Sequence, residues 1–287
     1  MLHSLPVHEN VSATIQEASD ILGRDVLELD STSALESTTS VQLSLLIAGV
    51  AVASALEAEA VRPFAVGGLS VGAFAAAVVC KALSFEDALL LVEKRGQLMQ
   101  AACPVDYGMS AIVGLTERKV AELVAICNSE RNPLYLSNVN GLLQITVSGS
   151  NQALAKVEAA ALQSGARRAE RLNVSAPSHC ALFESCAKAL QEEINNIKIE
   201  KPLIPYVSNI RARSLRSADA LAQDLANNIA HGVRWHDSIA VLVELGTDLF
   251  IEMNPGDILS RLGQGSFPEK RFIAAEDASL SYFKQFS

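Results

Sequence analysis

Residues 67–74 read Gly-Gly-Leu-Ser-Val-Gly-Ala-Phe ("GGLSVGAF") and lie between a short apolar run, "PFAV" at 63–66, and a longer one, "AAAVVCKAL" at 75–83. A strand that turns sharply into a helix needs glycine where backbone meets backbone. The segment Gly68-Leu69-Ser70-Val71-Gly72 fits a GxSxG elbow that would hold one hydroxyl clear of the chain. The same residues also suit plain turn chemistry, with Ser70 as a helix N-cap. On the elbow reading, the N–H of Val71 stands at a helix N-terminus, where it can stabilise a developing oxyanion.

Working outward from the elbow, the periodicity predicts helices over 41–60, 70–80 and 85–102, with Ser84 and Asp87 spaced as a capping box, and a strand over 63–67. "MSAIVGL" at 109–115 reads as a strand. It is followed by a helix at 116–127, strands near 134–138 and 143–148, a helix at 151–164 and a strand near 168–172. That order is β-α-β-β-α-β, the ferredoxin-like pattern. The α/β alternation then resumes with helices at 180–196, 218–230 and 236–245 and strands at 203–208, "DLFIEM" and "RFIAA". Strands alternating with helices imply a parallel sheet covered on both faces. The expected organisation is an α/β domain over 1–105 and 176–287, interrupted by a small ferredoxin-like α+β subdomain over 106–175.

With 287 residues and 49% hydrophobic composition, the chain can bury a large core, and a net charge of −9 argues against a nucleic-acid partner. Cys80, Cys103, Cys127, Cys180 and Cys186 are odd in number and form no CxxC pair, a pattern suited to free thiols in a reducing cytoplasm. The first residues, "MLHSLPVHENVSATI", have neither a basic nor an apolar leader segment. The longest apolar run, Leu45 to Leu56, is short for a bilayer span and reads as a buried helix, so no membrane role is expected.

Two further residues stand out. Arg95 is flanked at helical spacing by Leu91, Val92, Leu98 and Met99, so its guanidinium sits in the apolar stripe that should face the core. Either its stem lies on apolar surface while its head reaches water, or it is a charge held in a cleft for an anionic partner. A carboxylate suits it, because the planar fork binds both oxygens. Gly96 beside it permits close approach of another group at a cost of about 1 kcal/mol of helix stability. His179, in "NVSAPSHCALF", falls where an apolar-periodic helix begins. It is either structural or a neutral imidazole poised as general base by the positive helix end. His3, His8, His231 and His236 show no metal-ligand spacing.

Taken together, these motifs resemble the malonyl-CoA:acyl carrier protein transacylase family. "GLSVGAFAAAV" resembles its nucleophile motif, "RGQLMQ" its arginine motif, "VSAPSHCALF" its histidine motif and "GMSAIVGL" the start of its insert; "HGVRW" and "EMNPGDILSRL" follow in order. The resemblance covers essentially the whole chain and implies a parallel-sheet, hydrolase-like acyltransferase domain with a ferredoxin-like insert. It implies Ser70 as the acylated nucleophile, His179 as its base, Arg95 as the grip on the malonyl carboxylate and no bound cofactor or metal. Malonyl-CoA would be the donor, and the thiol of a phosphopantetheine-type arm on a carrier protein the acceptor. In the family a main-chain carbonyl orients the histidine; the matching position is Asn228, where better-known members have glutamine.

The chain departs from the family pattern at two places. Leu69 stands before the serine where the family usually has histidine, and "GLSVGA" resembles instead the transacylase (epsilon) subunit of malonate decarboxylase, whose carrier subunit bears a phosphoribosyl-dephospho-CoA arm. That subtype is the favoured reading, with a fatty-acid or polyketide transacylase as the alternative. Family members also open with a strand and a Gly-Gln-Gly-x-Gln loop whose glutamine helps form the oxyanion hole, whereas this chain as given starts at Met1-Leu2. Losing such a donor typically costs about 10²–10³ in rate, which leaves activity of this form open. Gly263-Gln264-Gly265 is at the wrong end to replace it and reads as a loop after a helix. Carrier proteins are acidic, so Arg167, Arg168, Arg171, Lys201, Arg211, Arg213 and Arg216 are candidates for a docking face, or an ordinary solvated surface. A serine esterase shares GxSxG but gives Arg95 no task; a non-catalytic binding subunit is the remaining alternative.

Overall fold

In a computed structural model of the chain, residues 1–174 and 176–286 are described. Ser175, in the histidine motif and at the end of the expected insert, and Ser287 lie outside them. After a 3-10 turn at Leu2–Ser4 comes α1 (Glu9–Leu22), which periodicity did not flag; its N-cap is His8, whose ring nitrogen accepts from the Asn10 N–H, an unusual start signal. It packs on α2 (Thr38–Ala58). By length and hydropathy α2 is the one helix among the described residues able to cross a membrane, yet twelve of its residues are buried here. An all-round apolar helix is what a core demands when α1, α3 and α4 surround it.

The strand expected at 63–67 is confined to β1 (Val66–Gly67). Pro63 has no N–H for a ladder and Phe64 is exposed. After the elbow come α3 (Gly72–Val79) and α4 (Phe85–Ala102), the latter capped as expected by Ser84, whose hydroxyl accepts from the Asp87 N–H. Gly96 lets α4 press on the start of α2: a methyl there would lie 2.6 Å from the Thr39 Cα.

The middle of the chain is β2 (Tyr107–Val113), α5 (Glu117–Cys127), β3 (Leu134–Gly141), β4 (Gln144–Ser150), α6 (Asn151–Gln163) and β5 (Arg168–Arg171). Its sheet has the order β3-β4-β2-β5 with every pair antiparallel, the arrangement a β-α-β-β-α-β chain adopts when its two helices share one face. Ile112, Leu134, Ile145, Val147, Leu154 and Val157 form a core separate from that around α2.

The α/β pattern resumes with α7 (Glu184–Ile194), β6 (Tyr206–Val207), β7 (Ser214–Leu215), α8 (Ala218–Asn227), α9 (Trp235–Glu244), β8 (Leu249–Glu252), α10 (Ile258–Ser266), β9 (Arg271–Ala274) and α11 (Leu280–Phe283). β1 pairs parallel with β6, and β8 parallel with β9; β7 adds an antiparallel edge to β6. The predicted loop at 263–265 is helical, in the last turns of α10. Its glycine is there for packing, since a methyl on Gly263 would meet the Phe272 ring at 2.2 Å.

Candidate active site

The elbow turns on Gly68. Ser70 has φ +55°, in the left-handed region, between β1 and α3. A Cβ on Gly68 would lie 2.1 Å from the Gly72 carbonyl, so only glycine allows the turn to close. Holding a non-glycine residue there costs roughly 1–3 kcal/mol, which surrounding contacts must offset. Those contacts come from Asn209, just beyond β6: its Oδ1 accepts from the Ser70 N–H at 2.8 Å and its Nδ2 donates to the Gly68 carbonyl at 2.5 Å. Asn209 is held by Asp224 on α8, a buried carboxylate that accepts from the Tyr206 hydroxyl at 3.1 Å, the Ser208 hydroxyl, and the N–H groups of Asn209 and Ile210 at 3.2 and 3.4 Å. Burial raises the Asp224 pKa against the lowering by these donors.

The structure brings His179 to Ser70, with Nε2 2.8 Å from Oγ. On its other side Nδ1 lies 2.5 Å from the main-chain carbonyl of Asn228. A carbonyl only accepts, so Nδ1 carries the proton and Nε2 keeps its lone pair facing the hydroxyl. The imidazole is 2% exposed. Its pKa is pushed down to about 4, by burial first and then by the positive charge of Arg95. No α-helix begins at His179, contrary to the expectation of a positive helix end beside it. His179 has φ +58° in a bend; a 3-10 turn at Ala181–Phe183 follows, and α7 begins only at Glu184. Burial and Arg95, rather than a helix end, keep the ring neutral.

Arg95 reaches the same point from α4. It is 1% exposed, so the snorkelling alternative fails. Its Nη2 donates to Ser70 Oγ at 3.2 Å and Asn228 Oδ1 at 3.3 Å, its Nη1 donates to Gln42 Oε1 on α2, and its Nε has no partner among the described residues. Every acceptor is neutral. Burial alone moves its pKa down to about 10, which leaves it charged at neutral pH. The Val71 N–H, at the N-cap of α3, makes no hydrogen bond among the described residues and is free to donate.

The insert fixes the two loops that complete the site. Ser148 of β4 donates to the Ser178 carbonyl at 2.9 Å, next to His179. β3 exchanges Val139 N–H to Val233 carbonyl and Val233 N–H to Ser137 carbonyl, both 2.8 Å, anchoring the segment after Asn228. The His179 N–H donates to the Ile229 carbonyl at 2.9 Å, tying the loops together. Gln42, Asn209 and Asp224 were not singled out from sequence. Gln42 was the most findable, as a polar side chain where an apolar helix begins; Asn209 carried no spacing signal.

All seven basic docking candidates are exposed, but Arg168 pairs with Glu170 at 3.2 Å and Arg171 with Glu158 at 3.1 Å, leaving Arg167, Lys201, Arg211, Arg213 and Arg216 as the better ones.

Residues 8–279 match the model of the acyl transferase domain family. The malonyl CoA-acyl carrier protein transacylase of Escherichia coli K12 is 32% identical over 269 residues, covering 91% of this chain and 85% of that protein. The solved malonyl CoA-acyl carrier protein transacylase of Coxiella burnetii superposes with a TM-score of 0.92 at 31% identity, covering 97% of this chain and 89% of that one. A malonyl-transacylase solved in complex with a type II polyketide acyl-carrier protein matches with a TM-score of 0.91 at 29% identity, over 96% and 91% of the two chains.

Proposed function

Because this chain belongs to the acyl transferase domain family and is an acyltransferase, we propose that it moves a malonyl group from malonyl-CoA to the thiol of a carrier-protein arm through an ester on Ser70. The observation that carries this reading is Arg95: a fully buried cation with only neutral partners among the described residues, 3.2 Å from the Ser70 hydroxyl. A buried charge without a counter-ion is costly, and an acyl group ending in a carboxylate supplies the missing anion at the required distance from Ser70.

In the first half-reaction Nε2 of His179 takes the Ser70 proton as Oγ attacks the thioester carbonyl. The oxyanion forms beside the Val71 N–H at the positive end of α3. As the tetrahedral adduct collapses, the C–S bond breaks and His179 returns its proton to the departing CoA sulfur. In the second half the carrier thiol gives its proton to His179 and attacks the serine ester, and Ser70 leaves with that proton. The Asn228 carbonyl holds the imidazole in the tautomer both halves require. The acyl group arrives and leaves as a thioester, so the chemistry calls for no cofactor or metal.

The relatives described above are malonyl CoA-acyl carrier protein transacylases, one of them solved with a type II polyketide acyl-carrier protein, so loading of an acyl carrier protein ranks above the malonate decarboxylase role. Leu69 before the nucleophile is the one feature that favours the decarboxylase epsilon-subunit reading and its carrier subunit. In either case the large unit over 1–105 and 176–287 supplies the nucleophile, arginine and histidine, and the insert over 106–175 closes the cleft. Carrier docking falls to Arg211 and Arg213, two and four residues after Asn209. A reducing cytoplasm, where a carrier thiol stays free, is the matching compartment.

The test is the intact mass of the protein after brief incubation with malonyl-CoA. A malonyl adduct that Ser70→Ala abolishes supports the reading. Release of free malonate without a carrier points to an esterase, and folded protein with neither adduct nor turnover points to a binding subunit. Transfer to an ordinary phosphopantetheine carrier against one bearing a phosphoribosyl-dephospho-CoA arm decides between the two pathways.

A further inference from the structure

Asn228 holds the histidine through its main chain, which any residue would do, yet its side chain is fully buried and used at both ends. Oδ1 accepts from Arg95 Nη2 at 3.3 Å, and Nδ2 donates to the Ser70 carbonyl at 3.3 Å. The orientation is forced, because the guanidinium can only donate and the carbonyl can only accept. One carboxamide thus ties the buried cation to the strained elbow.

Of the contacts on Nη2, that to Ser70 Oγ must be given up when the hydroxyl attacks; the contact to Asn228 need not change. Asn228 is therefore a fixed post and Ser70 an exchangeable one. The post also has to be neutral. A carboxylate at this place would satisfy Arg95 permanently, competing with any incoming anion, and would set an oxygen against the Ser70 carbonyl. Glutamine, one methylene longer, could not span the same two groups from this backbone without a shift.

We propose that the Asn228 side chain is a positioning residue that sets acyl specificity, holding the Arg95 guanidinium uncompensated and at a fixed distance from the nucleophile so that it reads a carboxylate-terminated acyl chain. This rests on the acyl-transfer reading given above.

The experiment compares full-length wild type, Asn228→Ala and Asn228→Asp in single-turnover loading from malonyl-CoA and from acetyl-CoA, read by intact mass across donor concentration. Both variants keep the main-chain acceptor for His179. Asn228→Ala should lower malonyl kcat/KM by about 10–100-fold, mostly through KM, while acetyl loading falls by only about 3-fold. Asn228→Asp should compress the malonyl-to-acetyl preference further, since its carboxylate occupies the guanidinium. Equal losses for both donors, or an unchanged preference, would overturn the inference; if Asn228→Asp fails to fold, Asn228→Ala carries the same criterion. A wild type that takes up no malonyl on Ser70 sinks the acyl-transfer reading and this inference with it. A loaded wild type beside an Asn228→Ala that keeps its preference sinks this inference alone.

Discussion

Replacing Arg95 by methionine keeps most of the buried stem and deletes the charge, and the structure makes opposite predictions for activity and stability. Removing one member of a desolvated charge pair typically costs about 2–5 kcal/mol. Taking about 3–4 kcal/mol for a malonyl carboxylate left unpaired in this cleft, malonyl kcat/KM should drop by roughly 10²–10³. An acetyl group presents no carboxylate, so its loading should fall far less. Stability should go the other way. Arg95 is 1% exposed and its partners among the described residues are all neutral, so the folded protein carries the desolvation of a cation with no ion pair among those residues to offset it. That penalty is of the order of several kcal/mol. Against it stand the buried Gln42 and Asn228 oxygens left without this donor, about 1–3 kcal/mol each. The melting temperature of Arg95→Met should therefore hold or rise. Single-turnover loading from both CoA esters, with thermal melting of the same samples, reads both effects. Equal losses for malonyl and acetyl, or a melting temperature lowered by many degrees, would refute the reasoning.

Two further outcomes follow from the site. His179 has a folded pKa of about 4 against an ordinary 6.5. A group depressed in this way costs no stability above about pH 6.5; as the pH falls towards 4 the unfolded chain takes up the proton first. The loss reaches about 3 kcal/mol. Urea midpoints at pH 7.5 and 4.5 should thus differ more for wild type than for His179→Asn, and equal pH dependence would contradict the buried neutral imidazole. Asn209→Ala removes both clamps on the elbow, Ser70 N–H and Gly68 carbonyl. Since each such bond contributes about 1 kcal/mol, kcat for malonyl loading should fall roughly 10–100-fold. KM should stay near its wild-type value; a change confined to KM would mean that Asn209 does not position the nucleophile.

The local rules of the chain could be read without coordinates. GxSxG at 68–72 fixed a turn that only glycine can close, the 3.6-residue period placed α4 at 85–102, and the β-α-β-β-α-β order produced the four-stranded antiparallel sheet. These are decided by sterics and periodicity among residues near in sequence. Arg95 in an apolar stripe was visible for the same reason, as a charge in the wrong place on one helix. What stayed hidden were partners whose only relation is spatial. Gln42, Arg95, Asn209 and Asn228 come from α2, α4 and two separate loops, and nothing in their spacing joins them. Whether Arg95 reached water or a cleft, and whether His179 was neutral because of a helix end or because of burial, depended on what packed around them. Electrostatics in a protein is set by the surroundings of a charge in three dimensions, and only the folded chain supplies those surroundings.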